Sequence, residues 1–91
     1  MRIVGKIPHP YVKITVFAFN MRYSVKLEMG QVEQTYKIRH SDVIENLEDL
    51  SKLVDDQLIE ECIVHFTSMH KSMENAYKRL REKEEEQKNE A

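Results

Sequence analysis

The chain of 91 residues has few of the residues that common enzyme motifs and secreted scaffolds require. Its single cysteine, Cys62, excludes a disulfide within the chain. With only two glycines, the sequence has neither a phosphate-binding loop nor a dinucleotide-binding fingerprint. No run reaches the roughly 20 apolar residues of a membrane-spanning helix, and the N-terminal residues do not resemble a signal peptide. We therefore expect a cytoplasmic protein without membrane contact, in which Cys62 stays reduced.

Both the charge and the apolar pattern change near Ser41. Residues 1–40 contain seven Lys or Arg and two Glu, a net charge of +5, whereas residues 41–91 carry a net charge of −7. Apolar residues alternate before this point, as expected of strands, and recur every three or four residues after it, as expected of helices. The pattern predicts a basic sheet followed by acidic helices.

The first half predicts an antiparallel meander of three or four strands. Pro8 and Pro10 end a possible edge strand over residues 2–7, because proline cannot donate to a strand ladder. Tight turns at Asn20-Met21 and Gly30-Gln31 separate the following strands. These cover residues 11–19, 22–29 and 32–39.

The second half predicts a short helix and a long one. Asp42 and Glu45 match a capping box, which would start the short helix there. Asp55-Asp56 offers a new N-cap, so we place a break near Val54 and a second helix from about Asp56 to at least Arg81. Its apolar residues follow a heptad pattern. They are Ile59, Cys62, Phe66, Met69, Met73, Ala76 and Leu80.

These elements predict one α+β domain over residues 1–80, with both helices packed on one face of the sheet. Residues 81–91 are almost entirely charged and have no apolar side chain to bury except Ala91. We expect them to form a frayed or disordered tail.

The sequence offers no convincing catalytic or metal site. Cys62, His65 and Met69 could share a helix face and supply soft donors, but they do not complete a zinc site, and core packing explains them better. The paired acids at 55–56 and 60–61 are typical of helix capping and a solvated surface. We expect a protein that is not an enzyme and holds no metal or cofactor.

The favoured hypothesis is a small protein-interaction module. Residues 56–80 would form a helix of about 37 Å, whereas an eight-residue strand spans roughly 26 Å. The helix would overhang the sheet, and we expect a symmetric homodimer with antiparallel distal helices. The alternative is a monomer, in which the short helix folds back and covers part of the apolar stripe on the distal half of the long helix. The expected interface residues are Phe66, Met69, Met73, Tyr77 and Leu80.

The alternative hypothesis is single-stranded nucleic-acid binding by the other face of the sheet. Aromatic rings among cations provide base stacking and phosphate contacts. The residues that would form this face are Lys13, Phe17, Phe19, Arg22, Lys26 and Lys37. Two simpler explanations compete: a partner subunit or the N-terminal segment covers the rings, or the cations form an ordinary surface paired partly with Glu28 and Glu33.

Overall fold

The structure is a computed structural model that describes the backbone of residues 2–89 and the side chains of residues 2–86. It confirms the predicted α+β fold, with a four-stranded antiparallel meander followed by a short and a long helix. The elements are β1 (Arg2–Ile7), β2 (Lys13–Phe19), β3 (Arg22–Met29), β4 (Val32–Arg39), α1 (Leu47–Leu53) and α2 (Asp56–Asn89). No helix within these residues is long and apolar enough to cross a membrane.

The strands lie in sequence order, β1-β2-β3-β4. Two-residue turns join β2 to β3 and β3 to β4, and each begins with a residue at positive φ, Asn20 at 43° and Gly30 at 66°. Asparagine and glycine tolerate this conformation best, so the local sequence determines both reversals. Strand β1 pairs with β2 of the same chain, with a bulge between Ile3 and Gly5.

The core lies between one face of the sheet, which we call the inner face, and the two helices. Val16, Leu27, Leu50, Cys62 and Phe66 are fully buried there. A small hydrogen-bond network joins β4 to α2. In it, Gln34 donates from Nε2 to the backbone oxygen of Cys62 at 2.8 Å, and Tyr36 donates from its hydroxyl to Oε1 of Gln34 at 2.6 Å. This network gives α2 a polar anchor to β4 within a largely apolar contact.

The start of α1 differs from the prediction. The helix begins at Leu47, and its N-cap is Asn46, whose side chain accepts a hydrogen bond from the Asp49 backbone at 2.9 Å. Asp49 in return accepts from the backbone of Glu45 at 3.0 Å. The predicted box of Asp42 and Glu45 is therefore wrong, because Asn46 caps the helix four residues further along and Asp49 accepts from the residue that precedes this cap.

Helix α2 begins where the sequence predicts. The Asp55 side chain accepts from the backbone of Leu58 at 2.9 Å and so caps the helix, which starts at Asp56 after a break at Val54. The helix continues to Asn89. The fraying of residues 81–91 stays a prediction, and the last two residues of this segment lie outside the described part of the chain.

Helix α2 extends well beyond the sheet. Its 34 residues span about 51 Å, and His70 is the last residue seen to bond to the sheet, with Nε2 3.2 Å from the Met29 oxygen. The molecule measures 63 × 26 × 19 Å, and its radius of gyration is 18.4 Å, against about 12 Å for a compact chain of this length. We call residues 71–89 the overhang.

Candidate functional sites on the overhang and the outer sheet face

The apolar stripe of α2 passes from the core onto the overhang. Phe66 is fully buried in the domain's own core and Met69 is partly buried. Beyond His70 the stripe is exposed, with 47% of Met73, 52% of Tyr77 and 52% of Leu80 open to solvent. Of the five residues expected at an interface, these last three therefore present most of the available surface.

The exposed stripe lies on the same side of α2 as the sheet. At 100° per residue, Met73, Tyr77 and Leu80 fall within the arc that contains Ile59 and Phe66. Those two residues are buried against the sheet. The sheet thus occupies the proximal half of one continuous helix face, and the distal half has no neighbour among the described residues.

We call the opposite side of the sheet the outer face. The strand register arranges its side chains in four rows that run across the strands. Side chains on one face of an antiparallel pair lie directly opposite each other, so each row is a set of neighbours. The first row is Phe19, Arg22 and Arg39; the second Ile3, Phe17, Ser24 and Lys37; the third Lys6, Thr15, Lys26 and Thr35; and the fourth Lys13, Glu28 and Glu33.

The register gathers the apolar side chains of the outer face at one end of the sheet. Phe19 is 56% exposed, Ile3 is 59% exposed, and the ring of Phe17 is half-buried between them. A shallow hollow of about 270 Å³ lies beside Phe17 and is also lined by Lys26 and Lys37. Five of the six residues predicted for a nucleic-acid face lie in these first three rows, whereas Lys13 lies in the acidic fourth row.

Charge on the outer face is unevenly balanced. Lys26 lies 3.6 Å from Glu28 and 3.3 Å from Glu33, and the hydrogen bond to Glu33 raises the pKa of Lys26 above 10.5. The ion pairs found among the described side chains involve Lys26 alone. Arg22 and Arg39 lie directly opposite each other, and no described acid pairs with either.

A larger hollow adjoins the aromatic end of the sheet. It has a volume of about 500 Å³ and is lined by Arg2, Phe19, Arg22, Tyr23 and His40, among others. Two of these residues, Phe19 and Arg22, also form the first row of the outer face. The hollow therefore continues the basic, aromatic surface around the end of the sheet.

The sequence did not reveal every residue of these sites. Ile3, Arg2 and His40 were missed because they join the surface only through the pairing of β1 and the fold-back after β4. The register of β2, β3 and β4 could have been derived from the two-residue turns, which fix which side chains lie opposite each other.

Other chemistry has little support among the described residues. Cys62 is fully buried, whereas His65 is exposed, and no group of three His, Cys, Asp or Glu side chains within these residues could hold a metal ion. The hydrogen bond with Cys62, together with partial burial, raises the pKa of Tyr36 above its ordinary value of 10.0. This contact belongs to the network between β4 and α2.

No protein-family model, curated protein or solved structure matches this chain.

Proposed function

We propose that this protein is a non-catalytic protein-interaction module that forms a homodimer through its overhang. The observation that carries this proposal is the apolar stripe of Met73, Tyr77 and Leu80, which is about half exposed and continues the buried face of α2. A helix with an apolar stripe and no neighbour gains free energy when a second apolar surface covers it.

A second copy of the chain is the occupant that fits this stripe. The stripe follows a heptad pattern, and heptad stripes of two helices pack into each other along a shared seam. A homodimer brings the same stripe from both copies, which satisfies the self-complementarity that two-fold symmetry demands.

The position of the sheet restricts how two copies pair. Packed helix axes lie 8–10 Å apart, which is the layer that the sheet occupies over the proximal half of the same face. A parallel partner in register would have to enter this layer. An antiparallel partner overlaps almost entirely beyond His70, so the two sheets lie at opposite ends of the dimer.

Charge supports the antiparallel arrangement. With the two-fold axis near Lys78, Glu74 of one copy lies level with Arg81 of the other, and at 100° per residue both flank the apolar stripe on the same side. A glutamate near an arginine across a helix pair is favourable, although exposed pairs contribute only about 0.2–1 kcal/mol. The apolar seam therefore supplies most of the association energy, and the charges favour the orientation.

Solution molar mass tests the proposal. Light scattering over a range of concentrations should give a mass that rises from the 10.9 kDa of one chain toward twice that value. Leu80→Asp should hold the protein at the mass of one chain, because it places a charge in the seam. Val64→Asp is the matched control, since Val64 is 65% exposed on the other side of the same helix.

Two results would contradict this proposal. One is a wild-type mass of one chain at every concentration. The other is a dimer that Leu80→Asp leaves intact. A loss of the dimer in both variants would indicate general damage to α2, which circular dichroism detects as lost helix.

A further inference from the structure

We propose that the outer face of the sheet binds single-stranded nucleic acid, with bases stacked on Phe17 and Phe19 and phosphates held by the cations of β3 and β4. This function goes beyond self-association and uses a surface that the overhang does not share. It rests on the order in which the register arranges rings and cations across the sheet.

The two rings have a spacing suited to successive bases. Phe17 and Phe19 are two residues apart on β2, so their side chains leave the same face about 7 Å apart. Ile3 lies directly opposite Phe17 and widens the apolar platform on the side of β1. Aromatic side chains on a four-stranded sheet stack bases in this way, and stacking by itself tolerates any base.

The cations lie to one side of the rings. Arg22 on β3 is directly opposite Phe19, and Lys37 on β4 lies two strands from Phe17, or about 10 Å. Long, flexible Arg and Lys side chains can reach back across this distance. A strand of nucleic acid that follows β2 would therefore place its bases on the rings and its phosphates over β3 and β4.

The pairing of Arg22 with Arg39 indicates an anionic ligand. Like charges directly opposite on neighbouring strands are destabilising. No described acid forms an ion pair with either arginine, whereas Lys26 in the third row has two glutamates within 4 Å. A phosphate between the two guanidinium groups would relieve their repulsion, and each neutralised phosphate would release counterions.

The boundaries of this surface define its length. At one end, the hollow lined by Arg2, Arg22 and His40 continues the basic surface past Phe19. At the other end, Glu28 and Glu33 form an acidic row that repels phosphates. The three rows before the acidic row, about 7 Å apart, together with the adjoining hollow accommodate about four nucleotides, which is the lower end of the range for single-strand binding domains.

Fluorescence anisotropy with a labelled oligothymidine of about 12 nucleotides tests this proposal. Binding should be measurable at about 50 mM salt and should weaken steeply toward about 200 mM. A matched duplex should bind more weakly, because its bases cannot reach the rings. The Leu80→Asp variant should retain binding, so failure of the dimer and failure of this proposal are distinguishable.

Two variants locate the surface. Phe19→Ala should weaken binding roughly tenfold or more through loss of stacking, and should leave the fold intact because the ring is 56% exposed. Lys37→Glu should weaken binding and reduce its salt dependence. Lys52→Glu makes the same charge change on α1 and should bind like the wild type.

Several results would overturn the proposal. These are the absence of binding at low salt, equal binding of duplex and single strand, and binding that neither Phe19→Ala nor Lys37→Glu weakens. A polyglutamate peptide that binds as tightly as the oligonucleotide would assign this face to an acidic protein instead. If Phe19→Ala unfolds, Lys37→Glu decides the proposal, because it tests the same surface at an exposed side chain.

Discussion

Alanine substitutions at Phe66 and Leu80 should have very different effects on the free energy of unfolding, because the two residues lie in different halves of α2. Both residues lie on the apolar stripe of one helix, but Phe66 is fully buried and Leu80 is 52% exposed. Removing a fully buried phenylalanine costs about 3–5 kcal/mol, through lost apolar transfer and the cavity that remains. Leu80 lies beyond the sheet, so its removal should cost the folded monomer less than about 1 kcal/mol, as is usual for exposed side chains. A domain of this size is stable by about 5–10 kcal/mol. Phe66→Ala should therefore remove a large part of the free energy of unfolding, and Leu80→Ala only a small part.

Urea unfolding at a protein concentration below that of dimer formation measures both losses. Phe66→Ala should shift the unfolding midpoint far down with little change in the slope, whereas Leu80→Ala should stay near the wild-type midpoint. The division of α2 at His70 would be refuted if Leu80→Ala cost as much as Phe66→Ala. A loss below about 1.5 kcal/mol for Phe66→Ala would refute the assignment of Phe66 to the core.

Two further predictions concern the ends and anchors of the helices. Asn46→Ala should lower the free energy of unfolding by about 1 kcal/mol through loss of the α1 cap, whereas Asp42→Ala should not, and thermal melts of both variants decide the matter. Because the pKa of Tyr36 is raised in the folded protein, its contribution to stability should be present below pH 10.0 and decline as the pH rises above that value. Urea titrations from pH 8 upward should show a shallower decline for Tyr36→Phe, with Tyr11→Phe as the matched control. Equal slopes for wild type and Tyr36→Phe would contradict this.

Local chemistry explains which parts of the fold were predictable. The turns at Asn20 and Gly30 and the cap at Asp55 depend on residues close in sequence, and the structure confirms all three. The predicted start of α1 was wrong because two consecutive segments, residues 42–45 and 46–49, fit a capping pattern. The first segment lies in a separate turn before the helix, in which the hydroxyl oxygen of Ser41 accepts from the Ile44 backbone at 3.2 Å.

The candidate sites were predictable in part for a similar reason. The length of α2 relative to the strands predicted an overhang, because helix rise and strand rise are fixed quantities. The point at which α2 leaves the sheet depends on the position of the helix along the strands. The sequence does not specify that position. The structure places that point at His70, so Phe66 belongs to the core of its own chain.

The distance between two spin labels tests the antiparallel homodimer most directly. A Glu60→Cys label lies on an exposed position of α2, and the native Cys62 is fully buried, so the label attaches at one place. With the two-fold axis near Lys78, 18 residues on each side separate the labels by about 54 Å along the helix axis. A dipolar distance near 50–60 Å is the predicted result. A distance near 20 Å, or no dipolar coupling at concentrations that give a dimeric mass, would contradict the antiparallel overhang dimer.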